Sequence, residues 1–286
     1  MSSVNLPDII DHEGNFRKLG WLEPSSDKKL MRASRTSIQT LRSNNGLSPL
    51  IDKSAWVPVD YFTAFGPKLI GNQQSCGGCT GWSCAGATGR QRLMRGMPWV
   101  GRLSGAAVYA QINGGRDNGS NIIDAMTAIE NIGTCLESEQ DFPNFLSLTA
   151  AAKADLNYKE DVAITLATSI EAATALQMGI LPQLPIEVAN NFEKFSGDGV
   201  AGLSGARQGN HSIYLCGLEY INGVWYFRMA NSWGQTWGPF KDGTVRLTMP
   251  HIDNCASAED GFGHASVVRN TTNTGVVSIP APVFAI

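Results

Sequence analysis

The chain is predicted to fold as an α+β protein, a helical lobe followed by a sheet-rich lobe, with a site expected at their junction. In the first half, apolar residues recur at helical spacing between serine caps and glycine stops. In the second half, short β-branched and aromatic runs alternate with Gly, Asn and Asp turns. At 286 residues, the chain is long enough for one large domain or two lobes.

In chain order, residues 25–46, SSDKKLMRASRTSIQTLRSNNG, read as a helix capped by Ser26 and stopped by Asn44-Asn45-Gly46. Leu30, Met31, Ile38 and Leu41 form its narrow apolar stripe. The next helix, CTGWSCAGATGRQRLMRG, opens at Cys79 and stops at Gly96. Gly81, Gly86 and Gly89 each cost about 1 kcal/mol relative to Ala in a helix interior, so their presence implies close packing all round. Ser104 caps GAAVYAQIN, closed by Gly114-Gly115. Ser120 caps NIIDAMTAIENI, with Ile122, Met126, Ile129 and Ile132 at helical spacing and Gly133 beyond its end. Ser169 precedes IEAATALQM, which stops at Gly179. The segments ILPQLPIEV, HSIYLCGLEY, WYFRMANSW, GTVRLTM and ASVVRN then read as strands.

The net charge of −3 argues against a nucleic-acid partner. No apolar run reaches the roughly 18 residues of a membrane span, and the N-terminus lacks the basic-then-apolar order of a secretory signal. Six cysteines at 76, 79, 84, 135, 216 and 255 do not resemble a dense disulfide framework. A reducing compartment such as the cytoplasm is therefore expected. Residues 1–57 hold eight Lys or Arg against six Asp or Glu, and contrast with a more acidic remainder.

Three cysteines crowd into NQQSCGGCTGWSC, residues 72–84. A structural zinc site needs a second ligand pair, and neither CxxC nor HxxxH follows; no metal or other cofactor is expected. A redox CxxC would sit in a thioredoxin-like βαβ order, which is missing. A nucleophile at Cys79 has long-range company: His211 and Asn231 follow about 130 and about 150 residues later, a spacing characteristic of papain-like cysteine peptidases.

Asn72-Gln73-Gln74-Ser75-Cys76-Gly77-Gly78-Cys79 resembles the N-Q-G-S-C-G-S-C motif of the papain family. Gly209-Asn210-His211-Ser212 resembles its histidine motif, and Asn231-Ser232-Trp233-Gly234-Gln235-Thr236-Trp237-Gly238 its N-S-W-G-x-x-W-G. Trp56-Val57-Pro58 resembles the start of the mature enzymes, and Gly133 to Pro143 their G-x-x-x-E-x-x-Y-P turn. The sequence departs from the family at Thr80, where an aromatic residue is usual, and at Gly78. It also departs at Asp117-Asn118-Gly119-Ser120, where a cysteine-containing loop is usual and Cys76 loses its disulfide partner.

The resemblance implies a two-lobe papain-like fold and a cysteine endopeptidase that binds a polypeptide in the cleft between lobes. It implies an N-terminal extension at 1–57, able to gate the cleft or clasp the domain. A catalytic domain follows at 58–268, with a helical lobe at about 72–155 and a sheet-rich lobe at about 156–268, and a tail at 269–286. Cys79 is the implied nucleophile, at a helix N-terminus that favours the thiolate. His211 is its base and cationic partner, Asn231 orients the imidazole, and Trp233 shields that bond. Gln73 and the Cys79 backbone N–H are the implied oxyanion donors. Gly119 and Ser120 offer backbone pairing to the peptide, while Gly77, Gly78, Asn121, Ile122, Asn210, Ser212 and Trp233 are substrate-binding candidates by position. His251 and His264 are assigned ordinary surface or turn roles, and Cys84, Cys216 and Cys255 are taken as buried thiols. The triad alone leaves open a thiol acyltransferase or amidase, and a catalytically silent module.

Overall fold

A computed structural model describes residues 6–28, 35–160, 162–254 and 261–265. The first element is a hairpin of β1 (Asp8–Ile10) and β2 (Phe16–Lys18), paired antiparallel with Ile10 opposite Phe16. Its turn is tied by Asp11, whose Oδ1 accepts from the backbone N–H of Glu13 and Asn15, with Gly14 supplying φ +85°.

The helix expected over residues 25–46 is not continuous. Residues 26–28 are helical, Thr36 and Ser37 are not, and α1 spans Ile38–Asn44 with Ser37 as its N-cap. Ser37 makes a parallel bridge to Thr165, a tertiary pairing that overrides local propensity. Ile38 is fully buried with Ile164, Ala175 and Ile180 while Leu41 packs alongside; Leu30 and Met31 lie outside the described residues.

Strand β3 (Val59–Asp60) leads into α2 (Cys79–Met94), the central helix. Its glycines are needed for close approach. A Cβ on Gly81 would lie 2.5 Å from the Gly105 carbonyl oxygen, and one on Gly86 2.8 Å from the Tyr214 ring. Gly89 differs, because a Cβ there would meet Leu69 at an ordinary 3.5 Å. Gly81→Ala is therefore expected to destabilise by about 1–3 kcal/mol despite Ala's better propensity. Gly89→Ala is expected to stabilise by up to about 1 kcal/mol; urea unfolding of the two variants checks the opposite signs.

Around α2 pack α3 (Gly105–Ile112), capped by Ser104, and α4 (Ile122–Asn131). The cap of α4 is Asn121, whose side chain accepts from the Asp124 N–H. Ser120, the expected cap, has its backbone engaged elsewhere, as described below. Ile122, Met126 and Ile129 are buried, but Ile132 lies past the helix end and is 47% exposed. The lobe closes with α5 (Ala150–Ala154).

The second lobe holds β4 (Val162–Leu166), α6 (Ser169–Gln177), β5 (Leu181–Ala189), β6 (Arg207–Ile221), β7 (Val224–Ala230), β8 (Thr244–Leu247), α7 (Met249–Asp253) and β9 (Gly261–Ala265). The cap of α6 is Thr168 rather than Ser169, in a capping box with Glu171. The strands form one antiparallel sheet in the order β4-β9-β5-β6-β7-β8, with β3 added to β6. The final strand falls at 261–265, earlier than the expected ASVVRN, most of which lies outside the described residues. His264 is in β9. His251 is buried, contrary to a surface role: its Nδ1 faces the Thr248 N–H in the first turn of α7 and its Nε2 faces the Gly202 carbonyl.

The core runs between sheet and helices. Buried Arg90 of α2 donates to the carbonyls of Tyr61 and Phe62 and to the Tyr214 hydroxyl, locking helix to sheet. Among the described residues no helix is long and apolar enough to cross a membrane. Cys76, Cys79, Cys84, Cys135 and Cys216 are buried and unbonded to one another, and Cys255 lies outside the described residues.

Candidate active site

Helix α2 begins at Cys79, so the thiol sits beside unpaired helix N–H groups. Strands β6 and β7 bring His211 and Asn231 together: Tyr214 pairs with Ala230, with His211 three residues before one and Asn231 immediately after the other. The His211 Nε2 lies 2.7 Å from the Asn231 Oδ1. The Ser232 N–H donates to the same oxygen at 2.8 Å, which fixes it as an acceptor and places the imidazole proton on Nε2. Nδ1 is then left as the ring's lone-pair nitrogen, buried and without a hydrogen-bond partner. The Trp233 ring covers the imidazole at a centroid distance of 4.9 Å and is itself buried.

The two lobes meet through the backbone. Gln73 N–H donates to the Ser232 carbonyl, and Gly234 N–H to that of Gly71. The Gln73 side chain is fully buried; its Oε1 accepts from the Ser232 hydroxyl at 2.5 Å. That bond turns Nε2 outward, where it donates to the carbonyls of Cys76 at 2.8 Å and Lys18 at 3.1 Å.

Lys18 belongs to a strap. After β2, residues 18–22 run through the cleft directly over Cys79. Ser120 N–H donates to the Gly20 carbonyl and Leu22 N–H to the Ser120 carbonyl, both at 2.8 Å, in a parallel pairing. Trp21 N–H reaches the Asn210 carbonyl at 3.4 Å, and its buried ring packs in one cluster with Cys79, Ile122 and Met126. Arg17 anchors the strap. It is 3% exposed and donates to Asp11 at 2.7 Å, and to the Asn72 Oδ1 and the Trp233 carbonyl at 2.8 Å each. Lys18 bonds Asp117 at 2.8 Å. Gly20 is needed in this seat, because a Cβ there would fall 1.9 Å from the Gly77 carbonyl oxygen.

Burial dominates the electrostatics, and strap residues contribute to both groups. Burial pushes the Cys79 thiol up to about 11, although the backbone N–H groups of Ser212, Gly20 and Thr80 face the sulfur and favour the thiolate. Burial pushes His211 down to about 4; the Asn231 contact opposes this and the Arg17 charge adds to it. The sequence led us to expect a thiolate–imidazolium pair ready before substrate. With the cleft filled, thiol and imidazole are both neutral at pH 7.

Of the candidate binding positions, Gly77, Gly119, Ser120, Ile122, Asn210 and Trp233 border the strap through the contacts above and through Gly119, where a Cβ would strike the Gly20 carbonyl. Three others have different roles. Gly78 caps α2, and a Cβ there would strike Trp82 and Tyr109. Asn121 spends its side chain on capping α4 and on Asp124. The Ser212 hydroxyl is buried in a polar layer with Ser83 and Gln183, joined from the other side by Thr80, bonded to the Ser120 hydroxyl. The sequence does not single out Arg17, Gly20 or Trp21, although it marks their segment as an extension able to gate the cleft or clasp the domain.

A family model described as papain family cysteine protease matches residues 66–264. Human cathepsin O is 22% identical over 195 residues, which are 63% of this chain and 57% of cathepsin O; the chain thus spans little more than half of that relative. Among solved structures, xylellain, a cysteine protease from Xylella fastidiosa, superposes with TM-score 0.69 at 20% identity, over 87% of this chain and 96% of that one. Digestive procathepsin L 3 of Tenebrio molitor gives TM-score 0.60 at 19% identity, covering 92% and 83%. With the family model spanning both lobes and the cysteine, histidine and asparagine positions within it, the chain belongs to the papain family of cysteine proteases.

Proposed function

We propose that the protein is a cysteine endopeptidase whose cleft is closed by its own N-terminal strap. The observation that supports the catalytic reading most is the buried His211–Asn231 pair, which leaves Nδ1 unpartnered, with the N–H of the next residue, Ser212, facing the sulfur of a cysteine that opens a helix. In the open cleft, the Cys79 thiol passes its proton to the His211 Nδ1 and the thiolate attacks a peptide carbonyl carbon. The charge that develops on the carbonyl oxygen is received by the Gln73 Nε2 and the Cys79 N–H. The imidazolium returns its proton to the leaving amine, and water then hydrolyses the thioester with His211 as base.

The strap supports the gating reading because it fills the same space without offering a scissile bond. The group it presents to the sulfur is the N–H of Gly20, so the thiol meets a donor where attack needs a carbonyl carbon. Arg17 also disfavours the imidazolium.

A peptidyl alkylator is expected to modify Cys79 ahead of the other five cysteines once the strap is displaced, as read by peptide mapping. Labelling spread evenly over the six would remove Cys79 as nucleophile. In the covered protein, where burial pushes the thiol up to about 11, the ultraviolet difference spectrum against Cys79→Ala should show no thiolate absorbance at neutral pH. A thiolate band at neutral pH that Cys79→Ala abolishes would mean that the ion pair survives under the strap.

A further inference from the structure

The strap residue that meets the oxyanion donor also shows what the cleft recognises. Lys18 has its carbonyl oxygen on the Gln73 Nε2 at 3.1 Å and its ammonium on the Asp117 Oδ2 at 2.8 Å. Both groups spring from one Cα. A substrate residue that takes the Lys18 seat, with its carbonyl on Gln73 and its Cα in the same place, would therefore send its side chain toward Asp117.

Asp117 is held for that purpose. Its Oδ1 accepts from the Gly77 N–H at 2.7 Å and the Tyr109 hydroxyl at 2.9 Å, and Tyr109 in turn accepts from the Gly119 N–H at 3.0 Å. These bonds fix the carboxylate against the wall of the cleft, with Oδ2 turned to the Lys18 cation. The side chain keeps 19% exposure, so removal of the strap leaves a pinned carboxylate facing the cleft. A fixed acceptor opposite a flexible ammonium or guanidinium makes a charge-assisted hydrogen bond, roughly twice as strong as a neutral one.

We propose that Asp117 is a specificity-determining residue that selects lysine or arginine as the substrate residue contributing the scissile carbonyl. This deepens the peptidase reading and rests on it. It also gives a role to the Asp117-Asn118-Gly119-Ser120 loop, which the sequence marks only as a departure from the family.

The test uses the full chain carrying Gly20→Val, and fluorogenic peptides identical except for lysine, Nε-acetyl-lysine or norleucine before the scissile bond. Because kcat/KM is compared within one protein, a residual strap lowers all three alike. Lysine should exceed both neutral analogues by about tenfold or more. Asp117→Asn should collapse that ratio, and Asp117→Lys should shift the preference to a glutamate peptide. Lysine and norleucine within threefold of each other, or an undiminished lysine preference in Asp117→Asn, overturns the assignment of Asp117 while leaving the peptidase reading intact. If neither Asp117 variant folds, the acetyl-lysine comparison decides alone: a peptide cleaved as well with its charge removed overturns the proposal. No turnover of any peptide overturns the peptidase reading beneath it.

Discussion

Replacing Gly20 with valine is expected to raise kcat/KM on a small fluorogenic peptide by at least about tenfold, without unfolding the catalytic lobes. The side chain would have to occupy the space 1.9 Å from the Gly77 carbonyl oxygen, and that oxygen belongs to the loop before α2, tied by the Gly77 N–H to Asp117 at 2.7 Å. The strap must leave instead. Each ~1.4 kcal/mol taken from the closed state multiplies the open fraction about tenfold while that fraction is small, and a clash with backbone costs more than that. Arg17→Ala should act in the same direction through a different contact, since it unties the strap from Asn72 and Trp233. If both variants fold and keep the parent kcat/KM, the strap is a clasp and does not gate.

Gln73→Ala should lower kcat by about 10²–10³-fold with little change in KM, because an oxyanion donor acts mainly in the transition state. The measurement belongs in the Gly20→Val background, where loss of the Lys18 contact cannot reopen the cleft and disguise the effect. A variant within threefold of its parent would take Gln73 out of the mechanism. Ser232, which orients the Gln73 amide, gives an intermediate case: Ser232→Ala leaves the donor in place but frees it to rotate.

Much of the site was legible because its residues come in rigid local motifs. Cys79, His211, Asn231, Gln73 and Trp233 each carry neighbours at fixed offsets, and the fold sets His211 against Asn231 and Trp233 and the Gln73 amide on Ser232. The helices at 79–94, 105–112, 122–131 and 169–177 were legible to within about two residues, whereas the short helices at 150–154 and 249–253 were not read and the one expected at 25–46 is broken. Ser120 loses the cap of α4 to Asn121 because its backbone pairs with the strap, and the expected helix at 25–46 breaks where Ser37 pairs with Thr165. The sequence marks residues 1–57 as an extension able to gate the cleft, but the path of the strap through it was not legible. Its contacts include backbone hydrogen bonds and a glycine seat, which leave no periodic signal, and its apolar residues Leu19, Trp21 and Leu22 are too few to show a period. The expected Cys79–His211 ion pair depends on burial, which pushes the thiol up and the imidazole down in the covered protein, and burial is not announced by the motifs. Asp117 was visible as a residue out of family pattern, but its partner Lys18 lies 99 positions away.

Because strap and cleft share one chain, an inhibitory strap of the kind proposed cannot be diluted away. A segment tethered beside its own site acts at an effective concentration on the order of mM for a short flexible connection, and here the β1–β2 hairpin and the Arg17–Asp11 pair hold it still more narrowly. A free peptide copied from residues 16–22 would forfeit that advantage and bind weakly, however faithful its contacts. On the proposed gating role, the off state is a first-order property of each molecule, independent of protein concentration, and substrate enters only in the intervals when the strap has lifted.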